Sequence, residues 1–250
     1  MIPPDLVKPG ERVDDLLIHN LKLIQHPEEF CFSLDAVLLA HFASVRPNGV
    51  VADLGAGTGV IGFLLLARGA SLVTGVEINP VMADMASRSV LLNGLTDKLR
   101  IVNGDLRDIR DLLPGGSFEL VVSNPPYRPV GGGYISPNDR IAMARHELTA
   151  NLTDIVAAAR YLIKYRGRFA MVHLPERLAE IMLAMCQAGI EPKRLQFVYP
   201  RADRKPNMVL IEGVRGAKPG IDVLPPLIVY TDTGNYTNDI LKLYPETNPL

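Results

Sequence analysis

Ser123-Asn124-Pro125-Pro126-Tyr127 is the run whose residue types point most directly to chemistry. Asn124 can offer its side-chain oxygen, and Pro125 its backbone carbonyl, as two hydrogen-bond acceptors. Two adjacent acceptors suit a planar amino group on a base or an amide. The lone pair of such a nitrogen is delocalised, so it is a poor nucleophile. Hydrogen bonds to both amino protons help to localise it. Tyr127 adds a flat face for a planar base, and stacking of this kind is worth about 1–3 kcal/mol per base. A purely structural role is the competing explanation, because Pro125-Pro126 cannot continue a sheet ladder.

The second run is VVADLGAGTGVIG, with Gly55, Gly57 and Gly59 between an apolar strand and a helix. Glycines there tolerate positive φ and let the backbone approach a ligand closely. In an open α/β sheet this is the crevice where ligands sit. Gly57, Gly59 and Gly62 formally satisfy a G-x-G-x-x-G dinucleotide pattern. Glu77, 20 residues after Gly57, can hold ribose hydroxyls of more than one cofactor. The register argues against a nicotinamide dinucleotide. The first glycine after the strand is Gly55, and counting from it puts Val60 where the third glycine belongs.

Asp53 precedes that loop in the run DLGAGTG, which resembles motif I of class I S-adenosylmethionine (AdoMet) methyltransferases. With NPPY it resembles their amino-methylating branch. Residues 30–43 (FCFSLDAVLLAHFA), ARHE at 144–147, KPNMVLIEGVRG at 205–216 and residues 225–244 are similar to bacterial valine-tRNA adenine-N6 methyltransferases. The resemblance implies AdoMet as cofactor and, as substrate, the tRNA adenine just 3′ of the anticodon. It implies that Asp53 faces the ammonium of AdoMet or nearby water. Asp105, in the run NGD, is expected to accept from the adenine amino group of the cofactor, and it can also cap a short helix. Ser33 and Asp35 are expected near the methionine end, and Asn124 is expected to border the cofactor as well as the substrate amine. Arg145, Arg201, Arg204 and Lys205 are expected to face RNA, although an ordinary solvated surface explains them equally well. Residues 131–133 are expected in a loop over the pocket. A glutamine amide in a protein poses the same nucleophile problem and is the alternative substrate. Such enzymes usually carry an N-terminal helical domain, for which residues 1–30 are too short. Another RNA or a small molecule is a further alternative. A nicotinamide oxidoreductase leaves NPPY unexplained.

These residues need a scaffold that brings distant segments together. From residue 50 onward, apolar strands alternate with helices. Strands are expected at 50–54, 72–76, 99–102, 118–123, 168–173, 194–199 and 208–212, and helices at 58–68, 80–92, 148–163 and 176–188. This alternation implies an α/β fold with a mostly parallel sheet and helices on both faces. Too few residues separate the last two strands for a helical crossover, so the last strand should be antiparallel. The expectation is a Rossmann-like, seven-stranded sheet of the class I methyltransferase kind. Ser33 is expected to cap a helix with one apolar face. Residues 1–32 are read as a hairpin or lid, 33–218 as the methyltransferase domain, and 219–250 as an extension packed on it.

Composition sets the outer limits. At 250 residues, 48% hydrophobic and 21% charged, the chain can bury a core and is not disordered. No apolar stretch approaches the roughly 18 residues that span a bilayer, and the N-terminus lacks a signal-peptide core. A cytoplasmic protein without membrane attachment is the expectation. Cys31 and Cys186 are expected as buried, reduced thiols, and the five histidines form no metal-like cluster. Net charge is −1, which alone speaks against a polybasic nucleic-acid binder. It is unevenly spread, with −5 over residues 1–139, +7 over 140–218 and −3 over 219–250. The central segment can make a local anion-binding face.

If Asn124 and Pro125 activate an amine, Asn124→Ala is expected to abolish methyl transfer while AdoMet still binds. Radiolabelled methyl transfer and a cofactor-binding titration check the two halves. Retained turnover contradicts the role of Asn124.

Overall fold

The computed structural model describes residues 6–29, 31–126 and 150–244, and a nine-stranded sheet runs through them. Its elements are β3 (Val50–Leu54), β4 (Leu72–Glu77), β5 (Leu99–Asn103), β6 (Phe118–Ser123), β7 (Ile163–His173), β8 (Ile190–Tyr199), β9 (Met208–Arg215), β10 (Asp222–Val223) and β11 (Leu227–Ile228). The order is β10-β8-β9-β7-β6-β3-β4-β5, with β11 also beside β8. The seven expected strands are β3 to β9. β3, β4, β5, β6 and β7 pair in parallel, and β9 runs antiparallel between β7 and β8. Antiparallel neighbours can be joined by a short loop, which parallel ones cannot. The tail adds β10 and β11, both parallel to β8 and along its outer side. Covering that side hides backbone groups that would otherwise template pairing with another chain.

Helices cover both faces. α1 (Leu34–Phe42), α2 (Val60–Ala67) and α3 (Pro80–Leu92) share one, where Leu39, Phe63 and Leu65 are buried. α4 (Ile109–Leu112), α5 (Leu152–Leu162) and α6 (Leu178–Gln187) share the other, around Phe169, Ile181 and Met185. α1 was expected to bury one face, yet seven of its nine residues are buried. The reason is the tail: Val229, and Ile240 of α7 (Asn238–Leu241), join the same cluster. His41 hydrogen-bonds the Leu243 backbone, and burial pushes its imidazole down to about 4.

Several boundaries differ from the pattern-based expectation. α2 starts at Val60 rather than at 58, because Gly57 and Gly59 have φ of 57° and 84° and stand outside the helix. α5 starts at Leu152 because Asn151 and Asp154 form a capping box, each side chain accepting from the other's backbone N–H at 3.0 Å. β7 starts five residues earlier than 168. Its pairing with β6 skips from Phe118↔Ile163 to Leu120↔Arg168, and Arg166 has φ 64°. The extra residues make a bulge whose polar side chains hide the strand pattern. β8 begins at Ile190 rather than 194. Cys186 is exposed and Cys31 half-buried, so the expected burial of both thiols is corrected; both are free.

The N-terminal piece is a hairpin of β1 (Arg12–Asp15) and β2 (Lys22–Gln25), with Arg12 opposite Gln25. Its backbone is fastened to α3. Ile24 N–H donates to Ser89 Oγ at 2.9 Å, and Asn93 exchanges two bonds with Lys22. Arg88 binds Glu11 at 2.6 Å and Asp84 at 2.7 Å.

A polar knot joins α1 to the sheet. Glu212, fully buried on β9, accepts from Arg168 at 2.8 Å and from Ser44 N–H and Oγ–H at 2.7 and 2.8 Å. Arg194 also reaches it at 3.4 Å and lies over the Phe42 ring. Glu212→Ala leaves two partly buried guanidinium groups without their acid. Breaking a buried pair costs about 3–5 kcal/mol. The exposed portions of the arginines put the expected loss at about 3 kcal/mol, a melting midpoint lower by roughly 6–12 °C. Thermal unfolding of the variant measures this, and an unchanged midpoint would mean that the knot is dispensable.

Candidate active site

The carboxyl ends of β3, β4 and β6 meet at one edge of the sheet. β3 lies between the other two, with Asp53 opposite Gly75 of β4 and Val122 of β6. The chain leaves β3 toward β4 on one side and returns by β6 on the other, so this edge is a topological switch point. The loop after β3 is held by its own backbone. Gly55 and Ala56 N–H both donate to the Val76 carbonyl, at 2.9 and 3.0 Å. Gly55 has φ 76°, and a Cβ there would meet nothing within 4 Å. Backbone conformation and an open approach therefore favour glycine at 55. Gly62 differs, since a Cβ there would come within 2.9 Å of Leu99.

Asp53 sits beneath this loop with no exposed surface, and among the described residues neither carboxylate oxygen has a hydrogen-bond partner. Burial, helped by the nearby Glu77 carboxylate, pushes its carboxyl up from 3.8 to about 8. An orphaned buried carboxylate is costly unless a cation or a donor reaches it. Glu77 is also buried, but it is engaged. Its Oε2 accepts from Gly57 N–H at 2.7 Å and its Oε1 from Asn79 N–H at 2.8 Å. Glu77 thereby ties the glycine loop to the end of β4.

Ser33 stands at the N-cap position of α1 in extended backbone but makes no side-chain cap. Its hydroxyl donates to Asp35 instead, and Asp35 also accepts from Ala36 N–H at 2.9 Å. Asp105 caps the short turn at Leu106–Asp108, accepting from Arg107 N–H at 2.9 Å. The Arg107 guanidinium holds that carboxyl below its ordinary range. Asn124 is half-buried, Pro125 buried and Pro126 exposed, directly after β6. The hydroxyl of Ser123 donates to the Leu54 carbonyl at 2.9 Å, which pins this segment to β3. Tyr127, Arg145 and the loop at 131–133 lie outside the described residues.

Arg201, Arg204 and Lys205 are exposed in the loop joining β8 to β9, at the same edge of the sheet as Asp53. Among the described residues, the Arg204 guanidinium pairs only with its exposed neighbour Asp203, at 3.7 Å. A feature that the sequence reading missed lies beside them. Tyr230 and Tyr236 face each other across the turn 231–235, with ring centroids 5.3 Å apart and nearly parallel. Tyr230 N–H donates to the Pro200 carbonyl at 2.9 Å, which sets the pair against the basic loop. Two tyrosines flanking a T-D-T-G-N turn were the available signal. Among the described residues there is no group of three or more His, Cys, Asp or Glu that could hold a metal. No helix there is long and apolar enough to cross a membrane.

The switch-point loop, the buried Asp53 and the inserted antiparallel β9 define a class I methyltransferase fold. The model of the methyltransferase small domain family matches residues 22–183. The chain belongs to that family, and its cofactor is S-adenosyl-L-methionine. It is 31% identical over 219 residues to the tRNA1(Val) (adenine(37)-N6)-methyltransferase of Porphyromonas gingivalis strain ATCC 33277, covering 84% of this chain and 85% of that one. A crystal structure of a predicted O-methyltransferase, Atu636 from Agrobacterium tumefaciens, superposes with TM-score 0.68 at 24% identity over 86% of this chain and 98% of that one. Geranyl diphosphate C-methyltransferase from Streptomyces coelicolor A3(2), solved with S-adenosyl-L-homocysteine, shares the fold with TM-score 0.54 at 14% identity, over 73% of this chain and 78% of that one.

The state of Asp53 has a pH signature. Its folded pKa lies above the ordinary value, so folding takes up a proton between about 4 and 8. Stability from this group is full below about 4, declines through that window and is lost above about 8. Asp53→Asn, without cofactor, is therefore expected to melt higher than the unsubstituted chain at pH 8, by a margin that shrinks toward pH 5. The same variant should bind AdoMet more weakly. Thermal melts at the two pH values and a binding titration test this; equal melting at both contradicts it.

Proposed function

We propose that this chain transfers a methyl group from AdoMet to the exocyclic N6 amino group of an adenine in tRNA. The observation that carries the proposal is Asn124-Pro125-Pro126 at the end of β6, one strand from the glycine loop and Asp53. The similarity to a tRNA adenine-N6 methyltransferase over 84% of the chain supports adenine as the acceptor.

The chain's residues fit the cofactor on the geometry described. Asp53 is a buried acceptor without a donor, suited to an ammonium or to a water that carries one. Gly55 keeps a side chain out of the approach, and Gly57 and Gly59 supply the positive φ that the loop requires. Glu77 holds the loop from one side and, in this reading, shares an oxygen with the ribose hydroxyls. Ser33 and Asp35 border the methionine end, and Asp105 retains a lone pair for the adenine amino group. AdoMet, when bound, supplies an electrophilic methyl sulfonium. Asn124 and Pro125 accept from the two protons of the substrate amine and orient its lone pair, while Pro126 keeps the turn stiff. Asn124 borders the cofactor on its other side. Tyr127 stacks on the base, which costs least to unstack when it lies in a single-stranded loop. Positioning and electrostatics carry such a displacement at carbon.

Arg145, Arg201, Arg204 and Lys205 contact the RNA backbone in this reading, with Tyr230 and Tyr236 as a flat surface beside them. Residues 33–218 form the catalytic unit, 1–32 a hairpin fastened to it, and 219–250 a tail that completes it. A reducing cytoplasmic setting suits the two free thiols. Labelled methyl transfer to total tRNA and to release factors, followed by nucleoside analysis, separates adenine from glutamine as acceptor. The expected product is N6-methyladenosine in tRNA, in an amount that falls as salt rises. Label confined to glutamine would replace the RNA reading with a protein substrate.

A further inference from the structure

The basic surplus of residues 140–218 does not all lie at the active-site edge. At the opposite edge, where the parallel strands begin, a groove of about 650 Å³ opens between α4, α5 and the end of β9. Three arginines line it, Arg110, Arg160 and Arg215, together with Tyr161 and the glycines Gly115 and Gly116. No acidic residue is in the lining. The Arg110 guanidinium lies over the Tyr161 ring, 5.1 Å from its centroid. Gly115 lets the backbone approach that ring, since a Cβ there would come within 2.7 Å of it. Arg215 is fixed by donation to the Ile163 carbonyl at 2.6 Å. Burial and the charge of Arg215 both press the Arg160 pKa downward, as expected of two cations that stand close together.

The positive surface continues past the groove. The bulge of β7 carries exposed Tyr165 and Arg166, and Arg166 reaches the Gly216 carbonyl at 3.4 Å, next to Arg215. Lys193 reaches the Lys218 carbonyl at 3.2 Å on the same edge. Lys164 is the exception, being paired with Glu119. Guanidinium groups favour phosphate because their forked donors match its oxygens. A single small anion needs one such fork. A strip of cations along a sheet edge, with an exposed tyrosine among them, fits a string of phosphates better.

We infer that the Arg110–Arg160–Arg215 groove and the strip beside it bind backbone phosphates of the RNA substrate, away from the reacting base. The inference rests on the RNA reading above and adds a second anchoring surface to it. About one strand length, some 20 Å, separates this edge from Asn124, a span that an RNA stem adjoining the target base can bridge. The contacts carry no sequence information and act on affinity and orientation.

The test uses the full chain and the double substitution Arg110→Ala, Arg160→Ala, which spares the structural bond of Arg215. Binding to total tRNA is measured between 50 and 200 mM salt, with AdoMet binding as the control for folding. The expected result is a five- to tenfold loss of tRNA affinity and a salt slope shallower by one to two, since each lost phosphate contact removes about 0.7–0.9 from it. The double substitution to lysine should restore most of the slope. Turnover at saturating tRNA should not change. Unaltered affinity and slope, with methylation of tRNA intact, overturn this inference and leave the adenine reading standing. Failure of the unsubstituted chain to bind tRNA overturns both. Stabilisation of the unsubstituted chain by pyrophosphate, with tRNA affinity indifferent to the substitutions, makes the groove a small-anion site and also overturns the inference.

Discussion

Everything at the active edge depends on the parallel register of β4, β3 and β6. That register puts Asp53 beside Gly75 and Val122, Leu54 beside Ser123, and Glu77 beside Asn103 of β5. Residues up to about 70 positions apart in the chain end at one level of one edge. Each strand is buried on both faces, so a slip by one residue would move apolar side chains out of two cores at once. The small cross-links between strand ends then become possible. Ser123 reaches the Leu54 carbonyl, and Glu77 reaches the Gly57 amide. The unpartnered Asp53 is tolerable because the burial of the surrounding strands outweighs it. Its cost is localised strain in a fold that is otherwise well satisfied.

Much of this arrangement was legible in the residues. Strands such as VVADL and FELVVS are short, apolar and rich in β-branched side chains, and each is bounded by Gly, Pro or Asn. Gly55 and Asp53 stood out because three alternating glycines after a strand have few purely structural explanations. The parts that were not legible share a cause. They depend on partners distant in the chain. The first half of β7 is polar because it bulges, and only its pairing with β6 makes it a strand. β10 and β11 are two residues each and exist only against β8. The fate of Ser33 turned on a neighbour, Asp35, that competes for its hydroxyl. The coupling of Asp105 to Arg107 was two residues away, yet a charge on a loop carries no period to read.

Charge behaves in the same way. The net value of −1 and the segment value of +7 are both correct, but neither says where the cations stand in space. The fold divides them. Arg201, Arg204 and Lys205 go to the edge where strands end, and Arg160, Arg166 and Arg215 to the edge where they begin. Arg168 and Arg194 are withdrawn from the surface account because Glu212 holds them. Counting charge along a chain overstates what any one partner would feel. Assigning each guanidinium to an edge gives the quantity that bears on binding.

The two short tail strands have a consequence for synthesis. β8 is made some thirty residues before the segment that lies along its outer side. Until residues 222–228 emerge and turn back, the edge of β8 is bare while the rest of the sheet can already assemble. Val229 and Ile240 must also arrive before α1 is covered on that side. A nascent chain stalled in this interval would carry a nearly complete catalytic edge on a domain with an open flank. A bare strand edge of this kind can template pairing with another chain. Residues 222–240 thus have to fold back before this flank of the sheet is closed.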